Sequence, residues 1–309
     1  MPTLPLISPS RLPTEGRCEA ARCAPWTHGA GSVVPVVKWA EGSVSPGPFG
    51  QSRANDPENP NGPTENLDIT TIHEVIDRGD LSMVFQPILK GQSKQLLGYE
   101  ALVRPTGTGF DSPEALLSAA AQVGRLGELG RVLRAMAIKG CPRAPLFLNI
   151  VPNEFDEGLL VRPDDPIFRH KHPVYLEIVE SAPLKYFEQC RGVLEELRRK
   201  GARLAIDDFG SGYSNVKYIA DLEPEIVKLD RTLVAGVNTD PRQFRLMRSI
   251  VNLCHDMGAE VVAEGIETVN EFAAALRAGA DHCQGYLFGT PSRLSAADYP
   301  PQIVVDTGC

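Results

Sequence analysis

Hydrophobic and polar positions along this chain fall into two textures, and the break between them comes near residue 67. From Asp68 onward the apolar residues keep regular periods. Ile69, Ile72, Val75 and Ile76 have the spacing of one helical face, and Gly79 closes that segment. Short apolar runs bounded by Gly, Pro or polar clusters then predict strands over 83–89, 98–103, 146–150, 174–179, 203–207, 226–230, 260–264 and 282–288. Helical periodicity fills most of the gaps, at 113–122, 125–139, 184–200, 242–257 and 268–278. Strands alternating with helices predict an α/β fold with a mostly parallel sheet. Eight such strands fit a (β/α)8 barrel. Only residues 91–97 separate the first two strands, too few for a crossover helix, so one strand near the start is expected to run antiparallel.

Residues 1–66 have no such periodicity. They are crowded with Pro, Gly and Ser, as in 45–50 and 55–63. A segment of that composition buries too little surface to offset its ordering entropy, which predicts a disordered or poorly structured extension. The folded domain is then expected over 67–301, with a short tail at 302–309. Cys18, Cys23 and His28 match no standard finger spacing and lack a fourth ligand.

A hydrophobic content of 42% is ample for a folded core, and a formal charge of −8 argues against polymeric nucleic acid bound through a broad basic face. Seven cysteines include no CxxC pair, and the sequence opens on no secretory signal, which together predict reduced thiols and a cytoplasmic location. No apolar run approaches the roughly 20 residues of a membrane span, so no membrane insertion is expected.

Polar residues interrupt the predicted strands where burial should exclude them. Gln86 and Gln284 lie in the first and last strands. Between them come Glu100, with Arg104 following, then Asn149, Glu177, Glu180, the tandem Asp207 and Asp208, Lys228, Glu264 and Glu267. Each taken alone has a structural explanation, such as a helix cap or a satisfied loop backbone. Their repeated placement at strand ends is what favours chemistry, because those ends converge on one face of a barrel, where active sites of this architecture are built. The tandem aspartates are followed by the permissive loop Gly210-Ser211-Gly212, which favours a cation site over a plain cap. Seven carboxylates facing only Arg104 and Lys228 leave a charge deficit best met by divalent cations. An all-oxygen donor set suits Mg²⁺ or Mn²⁺ rather than zinc. Metal-assisted hydrolysis of a phosphate ester follows as the leading chemistry.

These residues occur in motifs that resemble the EAL-domain cyclic-di-GMP phosphodiesterases. Glu100-Ala-Leu-Val-Arg104 is accompanied, in family order, by Phe85-Gln-Pro-Ile88, Phe147-Leu-Asn-Ile150, Asp207-Asp-Phe-Gly-Ser-Gly-Tyr-Ser214, Val227-Lys-Leu-Asp230, Ala263-Glu-Gly-Ile-Glu-Thr268 and Gln284-Gly-Tyr-Leu-Phe288. The resemblance implies a TIM-like barrel with one reversed strand and a homodimer. It implies hydrolysis of cyclic-di-GMP to linear pGpG with two Mg²⁺ or Mn²⁺ ions. Glu100, Asn149, Glu177 and Asp207 would hold one metal, with Asp207 shared and Asp208 serving the second. Lys228 and Glu264 would orient and deprotonate the attacking water. Gln86, Arg104, Glu267 and Gln284 would hold the dinucleotide or its local scaffold, and Glu180 would anchor the loop at 209–214. Three departures stand out: Val179 where the family often carries Thr, prolines at 163, 166 and 173 that predict a short or broken helix, and Gly289-Thr290 after the last strand. A receptor that binds cyclic-di-GMP without hydrolysis is the alternative. Receptors of that kind typically lose acidic residues, which this chain keeps.

Overall fold

A computed structural model describes residues 69–78, 81–151, 154, 160, 162–179, 184–211 and 216–294. The proposed extension 1–66, Glu180 and the tail 302–309 lie outside them. The chain enters through helix α1 (Ile69–Arg78) and then forms the hairpin β1 (Ser82–Lys90) and β2 (Leu96–Arg104). Helices α2 (Pro113–Gln122) and α3 (Leu126–Gly140) lead to β3 (Leu146–Ile150). A 3-10 turn at Pro166–Arg169, in the proline-containing stretch, precedes β4 (Val174–Val179), α4 (Leu184–Arg199) and β5 (Arg203–Phe209). The remainder alternates α5 (Lys217–Leu222), β6 (Ile226–Leu229), α6 (Arg231–Val234), α7 (Pro241–Asp256), β7 (Glu260–Ala263), α8 (Val269–Ala278) and β8 (His282–Gln284).

The eight strands close into a barrel in chain order. Strand β1 pairs antiparallel with both β2 and β8, while the pairs from β2 through β8 are parallel. The reversed strand expected from the short first connection is therefore β1. The last strand is shorter than the predicted 282–288. Its ladder stops at Gln284 because the next residue, Gly285, lies against the backbone of Ile266, where a Cβ would come within 2.1 Å of the carbonyl oxygen. Leu287 N–H then bonds to that carbonyl at 3.1 Å, and the chain leaves the sheet.

Side-chain alternation sorts each strand into two sets. One set, including Leu146, Leu148, Leu176, Ile178, Leu204, Ile206, Val227 and Val261, packs with the helices in the main core. The other set fills the barrel: Ile88, Phe147, Tyr175, Ala205, Ile226 and Val262 form a separate cluster. Phe147 and Tyr175 stack there with ring centroids 4.3 Å apart. Two residues further along each parallel strand, the same interior row must be filled by Asn149, Glu177, Asp207, Lys228 and Glu264. On the reversed β1 the equivalent step runs backward, from Ile88 to Gln86. The polar row thus sits one layer above an apolar plug. Cys141, Cys254 and Cys283 are buried among apolar side chains, as small core residues. No helix among the described residues is long and apolar enough to cross a membrane.

Candidate active site

Lys228 is the centre of the polar layer. Its side chain is 1% exposed, and its Nζ lies 2.6 Å from Glu177 Oε1, 2.8 Å from Asp207 Oδ1, 2.8 Å from Glu264 Oε1 and 3.4 Å from Glu100 Oε2. Register places these groups: Gln86 pairs with Glu100, and Asn149 with Glu177. Asp207 and Asp208 are adjacent on β5, where neighbours would normally face opposite sides. Pairing between β5 and β6 is irregular from Ile206 to Phe209, and Asp208 takes a left-handed φ of 56°. That kink is uncommon for a residue with a side chain. It brings Asp208 to the same side as Asp207.

Two carboxylate groupings result, each with ligand atoms within 4.8 Å of one another. One is Glu100, Glu177 and Asp207, and the other is Asp207, Asp208 and Glu264. Asp207 belongs to both. Asn149 donates from Nδ2 to Glu100 Oε1 at 3.3 Å, and Gln284 donates to Glu100 Oε2 at 2.6 Å and to Gln86 Oε1 at 3.1 Å. Gln86 in turn donates to the Gly289 carbonyl at 3.2 Å. The glutamines therefore brace Glu100 from its far side. Val179, where Thr would have been usual, is buried directly opposite Asp207 in the sheet.

The electrostatics are unbalanced. Burial, reinforced by the neighbouring carboxylates, pushes Glu177 and Glu264 well above the ordinary carboxylate range even though Lys228 opposes the shift. Burial alone would lower Lys228, but Asp207, Glu100, Glu177 and Glu264 outweigh it and hold the ammonium firmly charged. One cation against five carboxylates leaves a surplus of negative charge. Buried acceptors also lack hydrogen-bond partners: both Glu177 oxygens, Asp207 Oδ1 and Asn149 Oδ1. Lys228 lies within ion-pair distance of two of these oxygens, Glu177 Oε1 and Asp207 Oδ1. Native interiors rarely leave such groups unmatched. Oxygen donors that converge, carry excess charge and lack partners fit hard divalent cations.

Above this layer lies a cavity of about 120 Å³. Asp207, Asp208, Lys228, Glu264 and Gln284 form its floor, and Arg231, Glu267 and Tyr286 stand among its lining residues. Glu267 is held by an ion pair with Arg231, and its N–H bonds to Glu271, part of the capping box that starts α8 at Thr268. Arg104, the remaining site candidate, flanks rather than lines the cavity. It is half-buried, bonds to the Val103 carbonyl at 2.9 Å, and burial lowers its pKa. Sequence reasoning missed Arg231 and Tyr286. Arg231 directly follows the motif residue Asp230, and Tyr286 lies within the motif Gln284-Gly-Tyr-Leu-Phe288; that placement was the available signal.

A barrel whose strand ends carry two carboxylate groupings around a buried lysine defines the class as a (β/α)8 protein with an acidic centre. The family described as "EAL domain" matches residues 70–291, and the chain belongs to it. Among curated relatives, the "Probable cyclic di-GMP phosphodiesterase PdeD" of Escherichia coli is 30% identical over 232 residues, covering 72% of this chain and 43% of that protein. BlrP1 of Klebsiella pneumoniae, solved as manganese and calcium complexes with cy-diGMP, is 30% identical with a TM-score of 0.60, covering 69% of this chain and 56% of that one. An EAL domain protein from Listeria monocytogenes is 27% identical with a TM-score of 0.63, covering 76% of this chain and 98% of the other. The chain spans less than half the length of the first curated relatives it matches.

Proposed function

We propose that this chain is a metal-dependent phosphodiesterase that hydrolyses cyclic-di-GMP to linear pGpG, acting as a cytoplasmic homodimer through a domain spanning about residues 67–301, with 1–66 as an extension. The observation that carries this reading is the pair of carboxylate groupings sharing Asp207 beneath an open cavity. Glu100, Asn149, Glu177 and Asp207 would hold one Mg²⁺ or Mn²⁺, and Asp207 and Asp208 a second. When bound, such ions supply Lewis-acid activation of water and of the phosphate oxygens. Lys228, fixed as a cation, can only donate, so its part is to hold the attacking water and offset charge. Glu264 has the most exposed side chain of the four carboxylates around it, at 15%, and lines the cavity, so it is the group placed to accept the water's proton. Gln284 and Gln86 brace Glu100, while Glu267, which lines the cavity, and Arg104, which flanks it, would contact the substrate. Glu180 is assigned by the motif alone, as the anchor of the loop at 209–214.

Purified chain incubated with cyclic-di-GMP and Mg²⁺ or Mn²⁺ should yield pGpG. Glu264→Ala should lower turnover about 10²- to 10⁴-fold, the scale of a lost general base, while sparing most binding. Calorimetric binding with no product from the folded wild type would overturn the enzymatic reading in favour of a non-hydrolysing receptor.

A further inference from the structure

Away from the cavity, three charged residues are almost completely buried: Arg134 at 2%, Glu154 at 3% and Asp165 at 0% exposure. Such a cluster is costly unless fully paired, and a well-packed apolar replacement is often as stable, so bulk stability is a poor account of its presence. Its geometry supplies another. Strand β3 ends at Ile150, one residue past Asn149, and the sheet restrains the chain no further. Among the described residues, Glu154 holds this exit. Its Oε1 accepts from Val151 N–H at 3.2 Å, and its own N–H bonds to the Val151 carbonyl at 2.9 Å. The other carboxylate oxygen sits in a notch on α3, 2.5 Å from Arg134 Nη1. Gly130 makes the notch, since a Cβ there would lie 2.0 Å from Glu154 Oε2.

The same guanidinium reaches in the opposite direction. Arg134 Nη2 donates to Asp165 Oδ2 at 2.9 Å, and Asp165 Oδ1 caps the 3-10 turn before β4 by accepting from Ile167 N–H at 3.1 Å. One side chain on α3 therefore ties the exit of β3 to the approach to β4, the two strands that present Asn149 opposite Glu177. Asn149, Val151, Gly130, Arg134 and Glu154 also share the wall of one small cavity of about 20 Å³, so the Arg134–Glu154 pair and Asn149 border the same space.

We infer that Arg134, Glu154 and Asp165 are positioning residues that aim the Asn149 side-chain oxygen at the metal site. The inference rests on the reading of Asn149 as a metal ligand. Partners that orient ligands typically contribute 10- to 100-fold to metal affinity.

The test measures Mn²⁺ affinity of the full chain from the paramagnetic resonance signal of the unbound ion, which needs no turnover. Glu154→Ala should weaken Mn²⁺ at least about tenfold, on the scale of such orienting partners. Glu154→Gln, which keeps one acceptor oxygen for Val151 N–H but sets an NH2 group against Arg134, should recover part of the affinity lost in the alanine variant. If the alanine variant does not fold, Glu154→Asp keeps the buried charge paired while withdrawing the carboxylate from Val151, and carries the same expectation. In an Asn149→Ala background the Glu154 substitution should add nothing, because both act on one ligand. A folded Glu154→Ala or Glu154→Asp protein that binds Mn²⁺ like wild type, while Asn149→Ala binds weakly, would overturn the positioning role alone. Wild-type affinity in Asn149→Ala itself would overturn the ligand reading and the inference with it.

Discussion

At the scale of single residues, the site pits stability against function. Glu177 is fully buried, its Oε2 lacks a hydrogen-bond partner, and the Lys228 ammonium at its Oε1 is shared with three other carboxylates. Without metal it is a source of repulsion and desolvation rather than cohesion. Glu177→Gln replaces it with a neutral side chain of the same shape. In protein stripped of metal by a chelator, the variant should melt about 2–4 °C above wild type, the shift expected for about 1 kcal/mol in a domain of this size. With excess Mn²⁺ the order should reverse, because the variant has lost a ligand charge. A chelated variant that melts below wild type would show that Glu177 contributes favourably even without metal. The sequence made these residues visible for a simple reason. A polar side chain in a strand that should be apolar is conspicuous, and the two-residue period says which neighbours share its face. Arg231 and Tyr286 broke no such pattern: Arg231 stands just beyond the predicted strand 226–230, and an aromatic such as Tyr286 is ordinary within a strand, as 282–288 was expected to be.

Elements were legible in proportion to their length and the sharpness of their flanks. Strands β3 and β4 match the predicted 146–150 and 174–179, each an apolar run bounded by turn residues. Helices α5 and α6, of 6 and 4 residues, are too short to display a helical period and were not anticipated. The extension of β8 past Gln284 failed for a tertiary cause. Tyr286, Leu287 and Phe288 have strand-forming character, but the backbone of Ile266 crosses at Gly285 and forces a turn. This crossing also aims the site, because Gln284 braces Glu100 just before it and Tyr286 faces the cavity just after it. Gly285→Ala would set a methyl group 2.1 Å from the Ile266 carbonyl oxygen and 2.3 Å from its nitrogen. Backbone cannot yield as a side-chain end can, so the loss should reach or exceed the roughly 1–3 kcal/mol of ordinary overpacking. Chemical denaturation should show that loss, and turnover should fall with it. Unchanged stability in this variant would mean that the crossing is looser than the geometry requires.

The whole molecule is bound together by where the proposed ligands come from. Glu100 lies on β2, Asn149 on β3, Glu177 on β4, and Asp207 and Asp208 on β5, so the donor set runs across four consecutive strands of the closed sheet. Lys228 on β6 and Glu264 at the end of β7 continue the ring. In an unfolded chain these groups are tens of residues apart and cannot converge, so a cation that binds them binds the native state almost exclusively. Mass action then makes the metal a stabiliser of the entire barrel: at a free concentration 100 times its Kd, one site adds about 2.7 kcal/mol. For a domain of this size that corresponds to an upward shift of about 5–10 °C in Tm, from the scaling of about 2–4 °C per kcal/mol. The shift should grow with the logarithm of Mn²⁺ concentration, be reversed by a chelator, and appear without any substrate. Asp207→Asn should reduce it more than any other single substitution, because Asp207 alone belongs to both carboxylate groupings. A Tm insensitive to Mn²⁺ and Mg²⁺ in the folded wild type would mean that the acidic layer holds no cation, and the phosphodiesterase reading would lose its chemical basis.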